Sequence, residues 1–182
     1  MMSSQEDYDR LLADLKAEFS DFEVINKNDS GLMKVIDICL KALTLGQMKT
    51  FMTSFITTLG NKVYVPASWN SKSLISKIEI MRHERVHMRQ SKKYGRFVFS
   101  VLYLFVPLPC VLAYFRKKFE MEAYEESMRA LHQYKGADAF TPQLKEFYVS
   151  QFTTANYFWM WPFRKDVELW FDDTVKKIKL DS

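Results

Sequence analysis

The sequence predicts an α+β fold made mostly of helix, with one small β-hairpin. Apolar residues recur at helical spacing along most of the chain. A single stretch, MKTFMTSFITTLGNKVYVP, is instead rich in β-branched and aromatic residues around a Gly60-Asn61 turn. Glycines and prolines number 5 each and are scattered, so no linker divides the 182 residues. With 48% hydrophobic and 15% aromatic residues, the chain is expected to form one domain, 1–182, around one core.

Taken in order, residues 5–19 place Tyr8, Leu11, Leu12, Leu15 and Phe19 on one helical face. Asn28-Asp29-Ser30-Gly31 reads as a turn. A second helix is expected from Leu32 to Leu43, turning Val35, Ile36, Cys39, Leu40 and Leu43 inward. Strands follow near 50–58 and 62–65, the second ended by Pro66. Ser71 or Ser73 can cap a long helix running through Leu74, Ile75, Ile78 and Met81 to about Gly95. A helix from Arg116 to about Gln133 stops before Gly136, and Thr141-Pro142 opens another of about ten residues. An aromatic segment, TTANYFWMWPF, precedes a last helix from about Asp166. That helix turns Val167, Trp170, Phe171, Thr174, Val175 and Ile178 inward.

Net charge is +4, with no dense Lys/Arg stripe interleaved with aromatics, which argues against nucleic acid. Lys176, Lys177 and Lys179 suit the negative end of a helix. Cys39 and Cys110 both lie in apolar stretches outside any C-x-x-C pair. Buried thiols in a reducing compartment are expected. The acidic, helix-periodic N-terminus has neither a basic nor an apolar leader region. No signal peptide is expected, and the location this suggests is cytoplasmic.

The chemistry concentrates at residues 83–87, His83-Glu84-Arg85-Val86-His87, the pattern H-E-x-x-H. Four residues make about one helical turn, so His83 and His87 can aim two imidazoles at one metal ion. Glu84 is turned about 100° away and can reach a water beside the ion without binding the ion itself. The chain has 3 histidines, and chance placement gives roughly 0.003 such matches. The third, His132, follows Leu131 on a helix and reads as a surface or core histidine. Two histidines need a further ligand, and a carboxylate as third donor leaves one position for water on Zn²⁺. Phe119-Glu120-Met121-Glu122-Ala123-Tyr124 offers two carboxylates beside a small residue on a predicted helix.

H-E-x-x-H followed by a helix bearing Glu-x-x-Ala resembles the gluzincin metallopeptidases, especially compact one-domain forms. Membrane proteases of the CAAX-prenyl type carry similar wording, Phe-Glu-x-x-Ala-Asp. HERVHMRQ with the E-x-E-A-Y segment is similar to metallopeptidases encoded by tailed bacteriophages, a resemblance that implies the cytosol of a bacterium or of a phage-infected host. The resemblance covers about 60–130. It implies a zincin-like fold, with the small sheet packed on the motif helix and on a Glu-bearing helix. It puts Glu120 in the ligand place and makes Ala123 the small residue that lets the two helices approach. Glu120 and Glu122 lie about 200° apart on a helix, so only one can face the ion. Glu120 shares a face with Ala123 and Tyr124, and Glu122 stays the alternative. Two departures stand out. Tyr124 occupies the place of an Asp, and Arg85 follows the motif Glu where zincins carry an uncharged residue.

The implied activity is zinc-dependent endoproteolysis of a peptide or protein substrate. The metal sits on His83, His87 and Glu120, and Glu84 is the general base. A strand of the 50–65 hairpin would pair with extended substrate. Tyr124, Tyr157 and Arg116 are all candidates to stabilise the oxyanion. The competing readings are a zinc-containing binding or inhibitory module and a membrane-surface protein without proteolysis. The last arises from FVFSVLYLFVPLPCVLAYF, residues 97–115, which is nineteen residues without a charge. Pro107 and Pro109 interrupt it, and His87 and Glu120 must return to one ion. A helical hairpin turning at 106–109 is therefore expected, as buried core or as a contact with a membrane surface, with each arm too short to cross.

Overall fold

The computed structural model describes residues 4–47, 49–104, 112–154 and 160–181. It is mostly helical, with one three-stranded sheet. The chain divides into two compact units, 1–78 and 79–182, the division falling inside a helix.

In the first unit, α1 (Ser4–Glu18) buries Leu11 and Leu15. β1 (Glu23–Asn26) leads through a single 3-10 turn into α2 (Gly31–Leu43), whose first turn is capped by Ser30 Oγ accepting from the Met33 N–H at 3.3 Å. β2 (Thr57–Leu59) and β3 (Lys62–Val65) form the expected antiparallel pair. The first strand is shorter than its composition suggests, because residues 51–54 are in turn. β1 was not foreseen. It pairs in parallel with β3, giving the order β1-β3-β2 with β3 in the centre. The pattern of burial follows: Val63, Tyr64 and Val65 are all buried, as a central strand requires. Met33, Phe51 and Tyr64 form a core cluster with Ile25, Ile36, Leu40, Met52 and Phe55 around it.

Two expectations for α2 are corrected. Val35 is exposed rather than inward, and Cys39 is an exposed free thiol rather than a buried one. The helix is apolar over more of its circumference than the small core beneath it can cover. Met33, Ile36 and Leu40 take the inner face. Cys110 lies outside the described residues.

Among the described residues of the second unit the regular structure is helical. α3 (Leu74–Tyr94) starts where Ser73 Oγ accepts from the Ser76 N–H and carries H-E-x-x-H on the part of its length that belongs to this unit. Gly95 ends it at φ +84°, a left-handed conformation that favours glycine. α4 (Arg96–Leu104) and α5 (Leu112–Lys135) follow. Phe99 packs on Phe119 at 5.2 Å, and Tyr103 lies 5.0 Å below the Arg116 guanidinium, so the two helices run antiparallel. The turn expected at 106–109 lies outside the described residues. No helix among them is long and apolar enough to cross a membrane.

α6 (Pro142–Thr153) opens on Thr141, whose Oγ1 accepts from the Leu144 N–H at 3.1 Å, and α7 (Arg164–Leu180) closes the unit. On α7 the inward positions Val167, Phe171, Thr174 and Ile178 are buried, with Trp170 and Val175 half-covered. They meet Tyr124 and Met128 of α5 and Tyr148, Val149 and Phe152 of α6. This core fixes the α5 face that α3 approaches.

Candidate metal centre

α3 and α5 run antiparallel and are tied along their length. Arg82 Nε donates to Glu126 at 2.7 Å, and Gln90 Nε2 donates to the Phe119 carbonyl at 3.2 Å and to Glu122 Oε2 at 2.7 Å. Between these ties lies Ala123, fully buried and without the bulk to hold the helices apart.

There His83 and His87 meet Glu120. The two Nε2 atoms are 3.1 Å apart, and each faces the Glu120 carboxylate, at 3.6 Å from His83 and 3.8 Å from His87. One ligand atom from each of the three lies within 4.8 Å of the others. Ligand atoms about 2 Å from a tetrahedral ion stand about 3.3 Å from one another, so the spacing fits a first-row metal. Glu120 is fully buried. Its Oε1 accepts from the Tyr103 hydroxyl, and its Oε2 has no hydrogen-bond partner among the described residues. An orphaned buried carboxylate oxygen facing two imidazole nitrogens is what a cation would satisfy.

An outer partner sets the tautomer of His87. Glu122 and the Phe119 carbonyl can only accept, so the Gln90 amide nitrogen faces them and its oxygen faces His87. His87 Nδ1 lies 2.9 Å from that oxygen and must carry the proton, which leaves the Nε2 lone pair turned toward the centre. His83 Nδ1 lies 3.3 Å from Ser127 Oγ. Burial holds the His83 imidazole well below its usual range. The charge of His87 pushes the same way, and a hydrogen bond at the Ala123 backbone opposes both. A neutral imidazole is the form that binds metal.

The other expected site residues are distributed as follows. Glu84, beside His83 on α3, is 9% exposed. Glu122 turns away from the two imidazoles and onto Gln90. Tyr124 is buried, its ring edge-on to His83 at 4.7 Å. Arg116 covers the Tyr103 ring. Tyr157 lies outside the described residues. His132 is remote, stacked on Phe140 at 5.7 Å.

Sequence reasoning missed three participants. Gln90 sits three residues after His87, so helical spacing alone put it on the ligand's face. Ser127 lies one turn after Ala123 and was open to the same reasoning. Tyr103 carried no such signal, since it lies in the charge-free block whose aromatics read as packing. Its ring stands 5.6 Å from His87.

No family model, no curated protein and no solved structure matches this chain.

Proposed function

We propose that this chain is a zinc-dependent endopeptidase of zincin-like fold, with His83, His87 and Glu120 holding the ion. The observation that carries the reading is the convergence of two Nε2 lone pairs on a buried carboxylate with one unpartnered oxygen. The H-E-x-x-H pattern supports hydrolysis over metal storage, because it places a carboxylate next to the ligand helix face without making it a ligand. When bound, zinc would polarise a scissile carbonyl and make a water nucleophilic near neutral pH.

The protein's own groups would do the rest. Glu84 takes the proton from the attacking water and returns it to the leaving amine nitrogen as the C–N bond breaks. Gln90 holds His87 in the Nδ1–H tautomer throughout. Ser127 holds the His83 ring in place through Nδ1, although a hydroxyl that can donate or accept does not choose its tautomer. Ser127 is tied in turn to Tyr148, whose phenol burial and Glu79 raise well above its usual range. Tyr124, Tyr157 and Arg116 are the candidate donors for the developing oxyanion, whereas Tyr103 commits its one hydroxyl proton to the Glu120 carboxylate and so orients that ligand.

The test combines metal analysis and turnover. Protein purified without added metal is expected to carry about one zinc per chain. Glu84→Gln should keep that zinc and lose roughly 10²–10⁴-fold in turnover on an unstructured protein substrate. Turnover unaffected by Glu84→Gln would remove Glu84 as the base, and zinc retained with no turnover even in the wild type would point to the binding-module reading, in which the same triad holds metal without hydrolysis.

A further inference from the structure

From Arg85 to Phe119 the chain carries eight Lys and Arg and no Asp or Glu. The whole chain is net +4, so everything outside this run is net −4. The asymmetry has a structural counterpart. Residues 92–98 are exposed without a break, and they include Lys92, Lys93, Tyr94, Arg96, Phe97 and Val98. Phe97 is 80% exposed and Val98 49%. Tyr114 and Phe115, at the start of α5, are exposed as well. Tyr94 packs 5.4 Å from Phe119, which brings the end of α3 alongside Lys118. Lys118 Nζ lies 5.1 Å from the Tyr114 ring, and Lys93 Nζ lies 5.4 Å from that of Tyr94. Large apolar side chains and cations thus alternate along this stretch, and acids enter only at its α3 border, where Lys93 and Tyr94 share a cleft with Glu122, Glu125 and Glu126.

Single exposed hydrophobes are ordinary, but neighbouring ones ringed by cations of one sign are not. We propose that the basic and apolar surface built from the end of α3, α4 and the start of α5 docks on an anionic lipid surface. Phe97, Val98 and Phe115 would enter the boundary between headgroups and acyl chains. Tyr94 and Tyr114 would sit at headgroup level, where amphipathic rings are favoured. Lys92, Lys93, Arg96 and Lys118 would meet lipid phosphates while their stems lie along the apolar layer. A single-stranded nucleic acid would use the cations and the rings but not the aliphatic part of the surface. Val98 offers no ring for a base, and α4 from Phe97 to Leu104 carries no charge for phosphates. The proposal stands apart from the hydrolase reading and does not depend on metal.

The experiment is flotation of the full chain with vesicles of phosphatidylcholine carrying about one part in three phosphatidylglycerol. The protein is expected to float with these, to stay behind with phosphatidylcholine alone, and to be released by molar salt. Phe97→Ser should weaken binding at least about tenfold, with thermal unfolding unchanged because the side chain is exposed. Lys93→Gln combined with Lys118→Gln should weaken it roughly twenty- to thirty-fold. Phe97→Trp keeps the apolar bulk and should float like the parent. The idea is overturned by no flotation of the parent at low salt, by full binding of Phe97→Ser, or by retention of a single-stranded RNA oligomer without vesicle binding.

Discussion

Lys27, in the first unit, and Glu120, in the second, are both fully buried ionisable side chains, yet their surroundings treat them in opposite ways. The Lys27 ammonium donates to the Phe51 carbonyl at 2.8 Å and lies 3.6 Å from the centre of the Phe51 ring. Its neighbours are the backbone and ring of one residue, brought there by the fold of the same unit. Glu120 receives one hydroxyl and keeps an oxygen open toward two imidazole nitrogens. An open oxygen is not sufficient in itself. Asp37 also has a buried oxygen without a partner, but its other oxygen is held by Lys41 at 2.6 Å. Among the described residues only His83, His87 and Glu120 form a convergent set of metal-ligating groups. Convergence of unmet donors and acceptors therefore separates a site from a structural polar group, and burial does not.

The comparison breaks most sharply at Glu120. Glu120→Gln keeps the shape and an acceptor for Tyr103 but removes the carboxylate. Zinc affinity is expected to fall by more than roughly 100-fold, the upper range for changes to outer partners. The metal-free protein should become more stable by about 1–2 kcal/mol, because a neutral amide asks less of a buried pocket than a half-satisfied carboxylate. A metal-indicator titration and urea unfolding of chelator-treated protein read the two effects. Unchanged affinity would remove Glu120 from the ligand set and the contrast with Lys27 along with it.

Gln90 comes next. Gln90→Leu keeps much of the bulk and frees His87 Nδ1, so zinc affinity should drop roughly 10–100-fold through a ring that no longer holds one tautomer. Glu122→Ala should cost less than Gln90→Leu, since it removes only one of the two acceptors that orient the Gln90 amide. If Glu122→Ala instead matched Glu120→Gln, the two carboxylates would have exchanged roles, and the geometry of α5 would need another explanation.

The sequence carried unequal amounts of this. Long amphipathic helices were legible because one face repeats many times: α1, α3, α6 and α7 begin and end near their expected bounds, each with a cap, a glycine or a periodic stripe to mark it. β1 was not, since four residues paired in parallel with a strand beginning 36 positions after its own last residue leave no local signature. The inner face of α2 was misjudged at Val35 and Cys39 because the helix is apolar nearly all round, and only tertiary packing chooses a side. In the centre, the histidines and their spacing could be read from one turn of helix. Choosing between Glu120 and Glu122 depended on helix rotation, which periodicity gives to within one face. Tyr103 required knowing that α4 folds back against α5, a contact that an uncharged stretch does not encode.

The smallest expected effect returns to Lys27. Burial lowers its ammonium from 10.5 to about 8, against the pull of Asp37. In the unfolded chain the group holds its proton up to about 10.5, and in the folded chain only to about 8. Between those values the unfolded state binds more protons, so this residue adds stability as pH rises through that window and adds nothing further above it. Other lysines and tyrosines ionise in the same range, so the quantity to follow is the difference between wild type and Lys27→Met. That difference should shift in favour of the wild type from about pH 8 to 10.5 and be flat below, as read by urea unfolding across the series. A flat difference throughout would mean that the ammonium is as well solvated as a surface lysine. The Phe51 carbonyl and ring would then be full substitutes for water, and the contrast with the half-satisfied Glu120 would be sharper.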